Sequence, residues 1–422
     1  MNANPNINML EATRLTREGR LAEAMALLQG MPPSAHPSPV ADDNDKDAGK
    51  RPVGPAARII DMVPPSSGGG AWTPPKFTFP NPTPNAANGP PGGLDQAQVP
   101  QALRVFLDRM SQPGLTPGLD GLVGRVPTRA PAPLPEGARF EEQTFANDAG
   151  SRAYKLYIPS GYTGQPVPLV VMLHGCTQSP DDFAAGTRMN ELAEEQTFLV
   201  AYPAQVQSAN VSKCWNWFNA ADQQRDRGEP SLIAGITRQI MRDFSVEPGQ
   251  IYVAGLSAGG AAAAIMGSAY PDLYAAVGVH SGLACGAARD MPSAFAAMRQ
   301  GGAPHHDGAK QLVPTIVFHG DRDTTVSPIN GDQVIAQSRA GSDLQSTVSR
   351  GQAPGGISYT CTVACDDSGH PMLEHWVLHG AGHAWSGGSP TGSYTEPKGP
   401  DASREMMRFF LEHPKPTAAR PM

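Results

Sequence analysis

Between residues 138 and 413 short β-branched runs alternate with stretches of helical periodicity, and this alternation restricts the fold more than any other feature of the 422-residue chain. Runs at 154–158, 169–173, 198–202, 251–254, 276–279, 315–318 and 374–378 read as strands. Between and after them 183–196, 231–244, 258–269, 331–339 and 402–412 read as helices. Strands that alternate with helices pair in parallel through crossovers, which lay helices on both faces of the sheet. The expectation is an α/β domain over 138–413 with a mostly parallel sheet. In such sheets the chemistry gathers in loops beyond the carboxyl ends of the strands.

The chain ahead of 138 is of another kind. Residues 31–140 hold 22 of the 43 prolines, and runs such as Ser66 to Gly70 bury too little side chain to offset the entropy of ordering. A Pro/Gly-rich flexible linker is expected over 31–137, with one short helix at 99–110, where Leu103, Phe106, Leu107 and Met110 share a face. Residues 1–30 read as a helical segment. Its pattern resembles one tetratricopeptide-type hairpin, but a single copy cannot bury its own face. Residues 414–422 read as a tail.

A formal charge of -7 leaves no electrostatic footprint for nucleic acid. No run approaches 18 apolar residues, so no transmembrane segment is expected. Glu11, Arg14, Arg17, Glu18, Arg20 and Glu23 stand where a secretory signal needs an apolar core, which predicts a cytoplasmic address. The five cysteines form no paired CxxC pattern. His305 and His306 lie beside Asp307, but adjacent side chains rarely converge on one ion. A polar loop is read there, and neither metal nor cofactor is expected.

One stretch carries a chemical signature. Gly255, Ser257 and Gly259 form a GxSxG pattern, with the strand 251–254 leading in and the small-residue helix 258–269 leading out. A serine on such a strand-to-helix turn projects its hydroxyl above the sheet, and the turn tolerates only small neighbours, here Gly255, Ala258, Gly259 and Gly260. A serine hydroxyl needs an imidazole to take its proton, and the imidazole needs a carboxylate to fix its tautomer. In the α/β-hydrolase fold the chain order is serine, acid, histidine. Asp321 and Asp323 compete for the acid beyond the strand 315–318. Asp323 lies deeper in the loop and is favoured, whereas Asp321 abuts Gly320 and suits a turn cap. Of the histidines that follow, His383 lies in a glycine loop just past a strand end and is read as the base. The oxyanion of a tetrahedral intermediate needs amide donors from the residue after the nucleophile and from an early loop. Ala258 and Cys176 are the expected donors, through their backbones.

Taken together, HGCTQ at 174–178, CWNWF at 214–218, GLSAGG at 255–260, HGDRDTTV at 319–326 and GHAW at 382–385 resemble the polyhydroxybutyrate depolymerase family of esterases. The resemblance covers about 138–412. It implies an α/β-hydrolase domain that cleaves short-chain hydroxyalkanoate polyester such as poly-3-hydroxybutyrate, with Ser257, Asp323 and His383 as catalytic residues and Cys176 at the oxyanion position. It also implies kinship with intracellular members that act on storage granules, and it makes Cys176 and Cys214 a candidate disulfide, which a cytosolic address opposes. Trp215, Trp217 and Trp385 become candidates for an apolar surface that grips polyester, against the alternative of tryptophans in the core. Two competing readings share the motifs: a carbohydrate esterase acting on feruloyl or acetyl groups, and a catalytically inert granule-binding protein.

Overall fold

The computed structural model describes residues 134–302, 312–339 and 341–416. The expected helices in 1–30 and at 99–110, nearly all of the expected linker, and the His305 and His306 pair lie outside these residues. The described chain opens on a hairpin of β1 (Arg139–Asn147) and β2 (Gly150–Ile158), then runs through β3 (Val167–Leu173), α1 (Pro180–Thr187), α2 (Met189–Gln196), β4 (Leu199–Pro203), α3 (Gly228–Asp243), β5 (Val246–Leu256) and α4 (Ala258–Ala269). There follow β6 (Ala276–His280), α5 (Met291–Gln300), β7 (Thr315–Gly320), α6 (Ile329–Arg339), β8 (Gln345–Gln352), β9 (Ser358–Cys365), β10 (Pro371–Leu378), β11 (Trp385–Ser386), β12 (Thr395–Glu396) and α7 (Ala402–Leu411).

Ten strands form one sheet in the order β1-β2-β4-β3-β5-β6-β7-β10-β9-β8. The six central strands, β4 to β10 in that order, pair in parallel. Antiparallel strands flank them on both sides. The sheet is therefore mixed at its margins, which the pattern of the sequence does not foretell.

Alternation along β3 shows why the sheet is covered twice. Leu169, Val171 and Leu173 join one buried cluster with Ile236 of α3 and Ala261 of α4. Val170 and Met172 join the other with Phe183 of α1, Leu192 of α2 and Met406 of α7. A strand buried on both faces reads as a continuous apolar run, and that is how β3 stands out in the sequence. Among the described residues no helix is long and apolar enough to cross a membrane.

The expected helix at 183–196 is two helices. Arg188 adopts a left-handed conformation (φ 58°), ends α1 by donating its N–H to Ala184 O, and starts α2. The break lets each short helix turn its own buried face to the sheet: Phe183 and Ala184 from α1, Leu192 and Ala193 from α2.

Because the central strands are parallel, the loops after β3, β5, β6, β7 and β10 all leave the same edge of the sheet. Those loops contain residues 174–178, Ser257, Ser281, 321–328 and 379–384. The expected site residues thus share one rim before any side chain is considered.

Candidate active site

β5 runs directly into Ser257 and α4 leaves directly from it. Ser257 has φ 57° and ψ -118°, a left-handed conformation that costs a residue with a side chain on the order of 1–3 kcal/mol and persists only where the surroundings impose it. They do so here. Ser257 N donates to His280 O at 2.9 Å, and Ala261 N donates back to Ser257 O at 2.9 Å. Gly259 is required by close approach, since a Cβ there would run into Leu173 O and His174 O at the end of β3. The serine is 6% exposed and stands at the amino end of a 12-residue helix, where the unpaired N–H groups favour developing negative charge.

The loop after β3 is held by its own amides. Gly175 N donates to Gln178 Oε1 (2.9 Å), Thr177 N to Ser212 O (2.7 Å) and Gln178 N to Gly175 O (3.3 Å). The Cys176 amide is left without an acceptor among the described residues. Ala258 N, the first amide of α4, is likewise one of the donors a helix cannot satisfy from within. Gly175 brings this loop against the elbow, so close that a Cβ on it would stand 3.7 Å from Ser257 Cβ. Cys176 and Cys214 are joined by a disulfide that spans 38 residues, so the loop after β4 is tied to the loop after β3.

On the other side of the rim, His383 Nδ1 donates to Asp323 Oδ2 at 2.6 Å. The second oxygen of Asp323 accepts from Thr325 N and Val326 N, both at 2.9 Å. Burial pushes the Asp323 carboxyl upward. The charge of His383 and the hydrogen bonds from His319 and His383 outweigh that and hold it well below the usual carboxylate range. Asp323 is therefore an anion locked in one orientation. With Nδ1 of His383 committed as donor, Nε2 is the nitrogen that can accept a proton. Asp321 serves elsewhere, accepting from His379 Nδ1 (3.0 Å) and Gly380 N (2.7 Å) at the surface.

Two further histidines organise the rim without titrating near neutrality. Burial takes His174 down to about 4 and His280 down to about 3. As neutral rings they act as fixed connectors: His174 Nε2 accepts from Gln205 N (3.0 Å), and His280 Nε2 accepts from Ser386 N (3.0 Å), just beyond the His383 loop. The carbonyl of His280 pins Ser257, so one residue links the elbow to the segment just beyond His383. Sequence reasoning misses His280, whose only signal is its place at the end of a strand. It also gives no role to Gln178, although the residue stands inside the HGCTQ motif. Gln178 Oε1 holds Gly175, and its Nε2 reaches Asp182 Oδ2 (3.0 Å) and Ser393 O (3.1 Å).

The tryptophans correct an expectation. Trp215 is fully buried, donates Nε1–H to His174 O (3.1 Å) and packs beside the His174 ring. Trp385, 1% exposed, donates to Ser403 Oγ (3.0 Å), stacks on His280 and meets Phe183 edge-on. Trp217 is buried against Phe218. All three side chains are buried. They offer no broad surface to a polymer.

A strained serine elbow over a mostly parallel sheet, with helices on both faces, defines the α/β-hydrolase fold. The acetyl xylan esterase from Aspergillus awamori shares that architecture: it superposes with a TM-score of 0.51 over 64% of this chain and 99% of its own, at 20% sequence identity. Residues 152–351 match the family described as esterase PHB depolymerase. Poly(3-hydroxyalkanoate) depolymerase C of Paucimonas lemoignei is 30% identical over 260 residues, 58% of this chain and 61% of that protein. A probable acetylxylan esterase A of Aspergillus clavatus is 26% identical over 224 residues, 48% of this chain and 71% of that protein. The match thus spans under two thirds of the depolymerase.

Proposed function

We propose that the protein is a serine esterase that hydrolyses short-chain polyhydroxyalkanoate, of the poly-3-hydroxybutyrate type, through an acyl-enzyme. The observation that carries this reading is the strained Ser257 elbow on the same rim as the 2.6 Å Asp323–His383 pair. Ser257 Oγ attacks the ester carbonyl while His383 Nε2 takes its proton. The amides of Cys176 and Ala258 hold the oxyanion, and His383 returns the proton to the departing alcohol. Water then repeats the sequence on the acyl-enzyme. Asp323 stays ionised throughout, orients the ring and offsets its charge.

Ser257→Ala is expected to lower turnover of a short p-nitrophenyl ester by at least about a thousandfold, and near-normal turnover would overturn the assignment. A carbohydrate ester is the second reading, favoured by the similarity to acetylxylan esterases. Assay of the purified protein on amorphous poly-3-hydroxybutyrate beside acetylated xylan and a feruloyl ester separates the two. Activity confined to the carbohydrate esters sinks the polyester reading.

The cytoplasm and the storage-granule surface are the places of action that the sequence leads one to expect. The Cys176–Cys214 bridge weighs against them, since glutathione and thioredoxin keep cytosolic thiols reduced. Thiol titration of the protein isolated from its native host without reductant decides between them. Three free thiols among the five cysteines favour an oxidising compartment, and five favour the cytoplasm.

A further inference from the structure

We propose that Glu229, in the first turn of α3, is a positioning residue for the oxyanion site: through Gln205 and His174 it sets the peptide plane that carries the Cys176 amide. This role rests on the proposed function, in which that amide holds the oxyanion. The C=O of Gly175 and the N–H of Cys176 belong to one planar, trans peptide unit, so a group that holds the oxygen also aims the hydrogen. His174 Nδ1 lies 2.7 Å from Gly175 O. Its Nε2 accepts from Gln205 N at 3.0 Å. The one proton of the neutral ring therefore sits on Nδ1 and is donated to the Gly175 carbonyl.

Gln205 is buried and clamped in turn. Its Nε2 donates one hydrogen to Cys214 O at 2.9 Å and the other to Glu229 Oε1. The buried Glu229 also accepts from Asn216 N at Oε2 (2.7 Å) and from Asn216 Nδ2 at Oε1 (2.8 Å), and Arg152 Nη2 stands 3.5 Å from Oε1. Each of these neighbours is a donor, and an ionised carboxylate is the side chain that only accepts. Burial, and then the charge of Asp222, raise the Glu229 carboxyl, while the bonds from Asn216 and Gln205 and the charge of Arg152 offset part of that rise. Folding thus keeps a charge inside at a cost, and what the charge gathers is the loop after β4, from Gln205 to Asn216. That loop meets the oxyanion loop through the His174 ring, through the Cys176–Cys214 bridge and through Trp215 Nε1, which donates to His174 O.

Glu229 acts only through its neighbours, by fixing where the Cys176 N–H points. A misaimed oxyanion donor weakens the transition state more than the bound ester, so its loss falls on kcat rather than KM. Glu229→Gln puts an NH2 group where it must face one of the converging donors. Gln205→Leu removes the link from the other end and leaves the backbone N–H toward His174 in place.

The test compares full-length parent and variants on a short p-nitrophenyl ester, with active sites counted by titration, and adds a trifluoromethyl ketone as a probe of the oxyanion site. Ser257 Oγ adds to the ketone carbon, the carbonyl electron pair moves to the oxygen, and His383 Nε2 takes the proton. Glu229→Gln is expected to lower kcat per active site about tenfold, to keep KM within about twofold and to weaken ketone inhibition about tenfold. Gln205→Leu is expected to do the same, and the double variant to be little worse than either, because both cut one chain. A residue that only stabilised the fold would lower the melting temperature or the count of active sites and leave kcat per site and ketone affinity at parental values. That result overturns the proposal, as does a double variant whose losses multiply. If Glu229→Gln does not fold, Gln205→Leu with the ketone decides the matter. Ser257→Ala run alongside separates the failures: if it is inactive while both positioning variants keep parental kcat, only this inference falls, and if it is active the proposed function falls first.

Discussion

Two aspartate–histidine pairs stand on the same two loops, and they differ mainly in depth. Asp323 and His383 meet at 2.6 Å with side chains 0% and 10% exposed, whereas Asp321 and His379 meet at 3.0 Å with side chains 38% and 42% exposed. Each pair uses Nδ1 of the imidazole and an oxygen of the carboxylate. The outer pair spends its second ring nitrogen on Thr360 Oγ1 at 2.9 Å, which fastens the loop to β9. The inner pair stands on loops that leave the same edge of the sheet as Ser257. Two residues of separation along the β7 loop and four along the β10 loop are enough to turn one arrangement of atoms into a fastening and the other into a candidate relay. Depth sets the difference because water screens the outer charges, while the inner pair interacts in a medium of far lower effective dielectric constant.

The sharpest way to break this contrast is to neutralise each carboxylate in turn. Asp323→Asn is expected to cost about a thousandfold or more in kcat, because an amide in that place favours the wrong histidine tautomer. Asp321→Asn is expected to stay within about twofold. Comparable losses in the two variants would mean that depth does not separate their roles. Stability should separate them as well. The folded-state carboxyl of Asp323 is held below its unfolded value of about 3.9, so its contribution is fully present above that value and is lost as pH falls through the folded one. Urea unfolding of the parent and Asp323→Asn proteins should therefore differ by an amount on the order of 2 kcal/mol at about pH 5, with the gap starting to narrow only below about pH 4 and closing as pH falls on through the folded value. A gap that widens on acidification contradicts the sign.

The rim is legible in the sequence because its parts sit where strands end. β3, β6, β7 and the second half of β5, from Ile251 on, are almost wholly buried and mostly apolar, so the residues just past them can be picked out by position alone. The margins are not legible for the opposite reason. β8 reads QSTVSRGQ and is exposed along almost its whole length, which leaves no apolar alternation to register as a strand. β1 alternates only weakly in burial, and its pairing with β2 depends on the two-residue turn at Asp148 and Ala149. α5 escapes notice although Asp290 and Ser293 form a capping box at its start, a local signal outweighed by the scarcity of large apolar residues in the helix. The tryptophans fail as surface candidates because residue type does not report which neighbours cover a ring. The choice of Asp323 over Asp321 rests on loop position, and the geometry sets Asp323 against His383.

The weakest of the expected effects is the most telling about the outer pair. Burial raises the Asp321 carboxyl and the hydrogen bonds from His379 and Gly380 lower it, with a net shift downward; at this exposure, solvent discounts most of what that shift is worth. His379→Ala should accordingly lower stability by no more than about 1 kcal/mol, and less at high salt, with ester turnover within about twofold. Chemical unfolding at low and high ionic strength, run beside the ester assay, checks all three statements. A salt-independent loss well above that size would show that the outer pair is as protected as the inner one. Lost turnover at unchanged stability would show instead that the fastening to β9 reaches His383 through the four residues between the two histidines. Either result would replace depth with connectivity as the reason the two pairs differ.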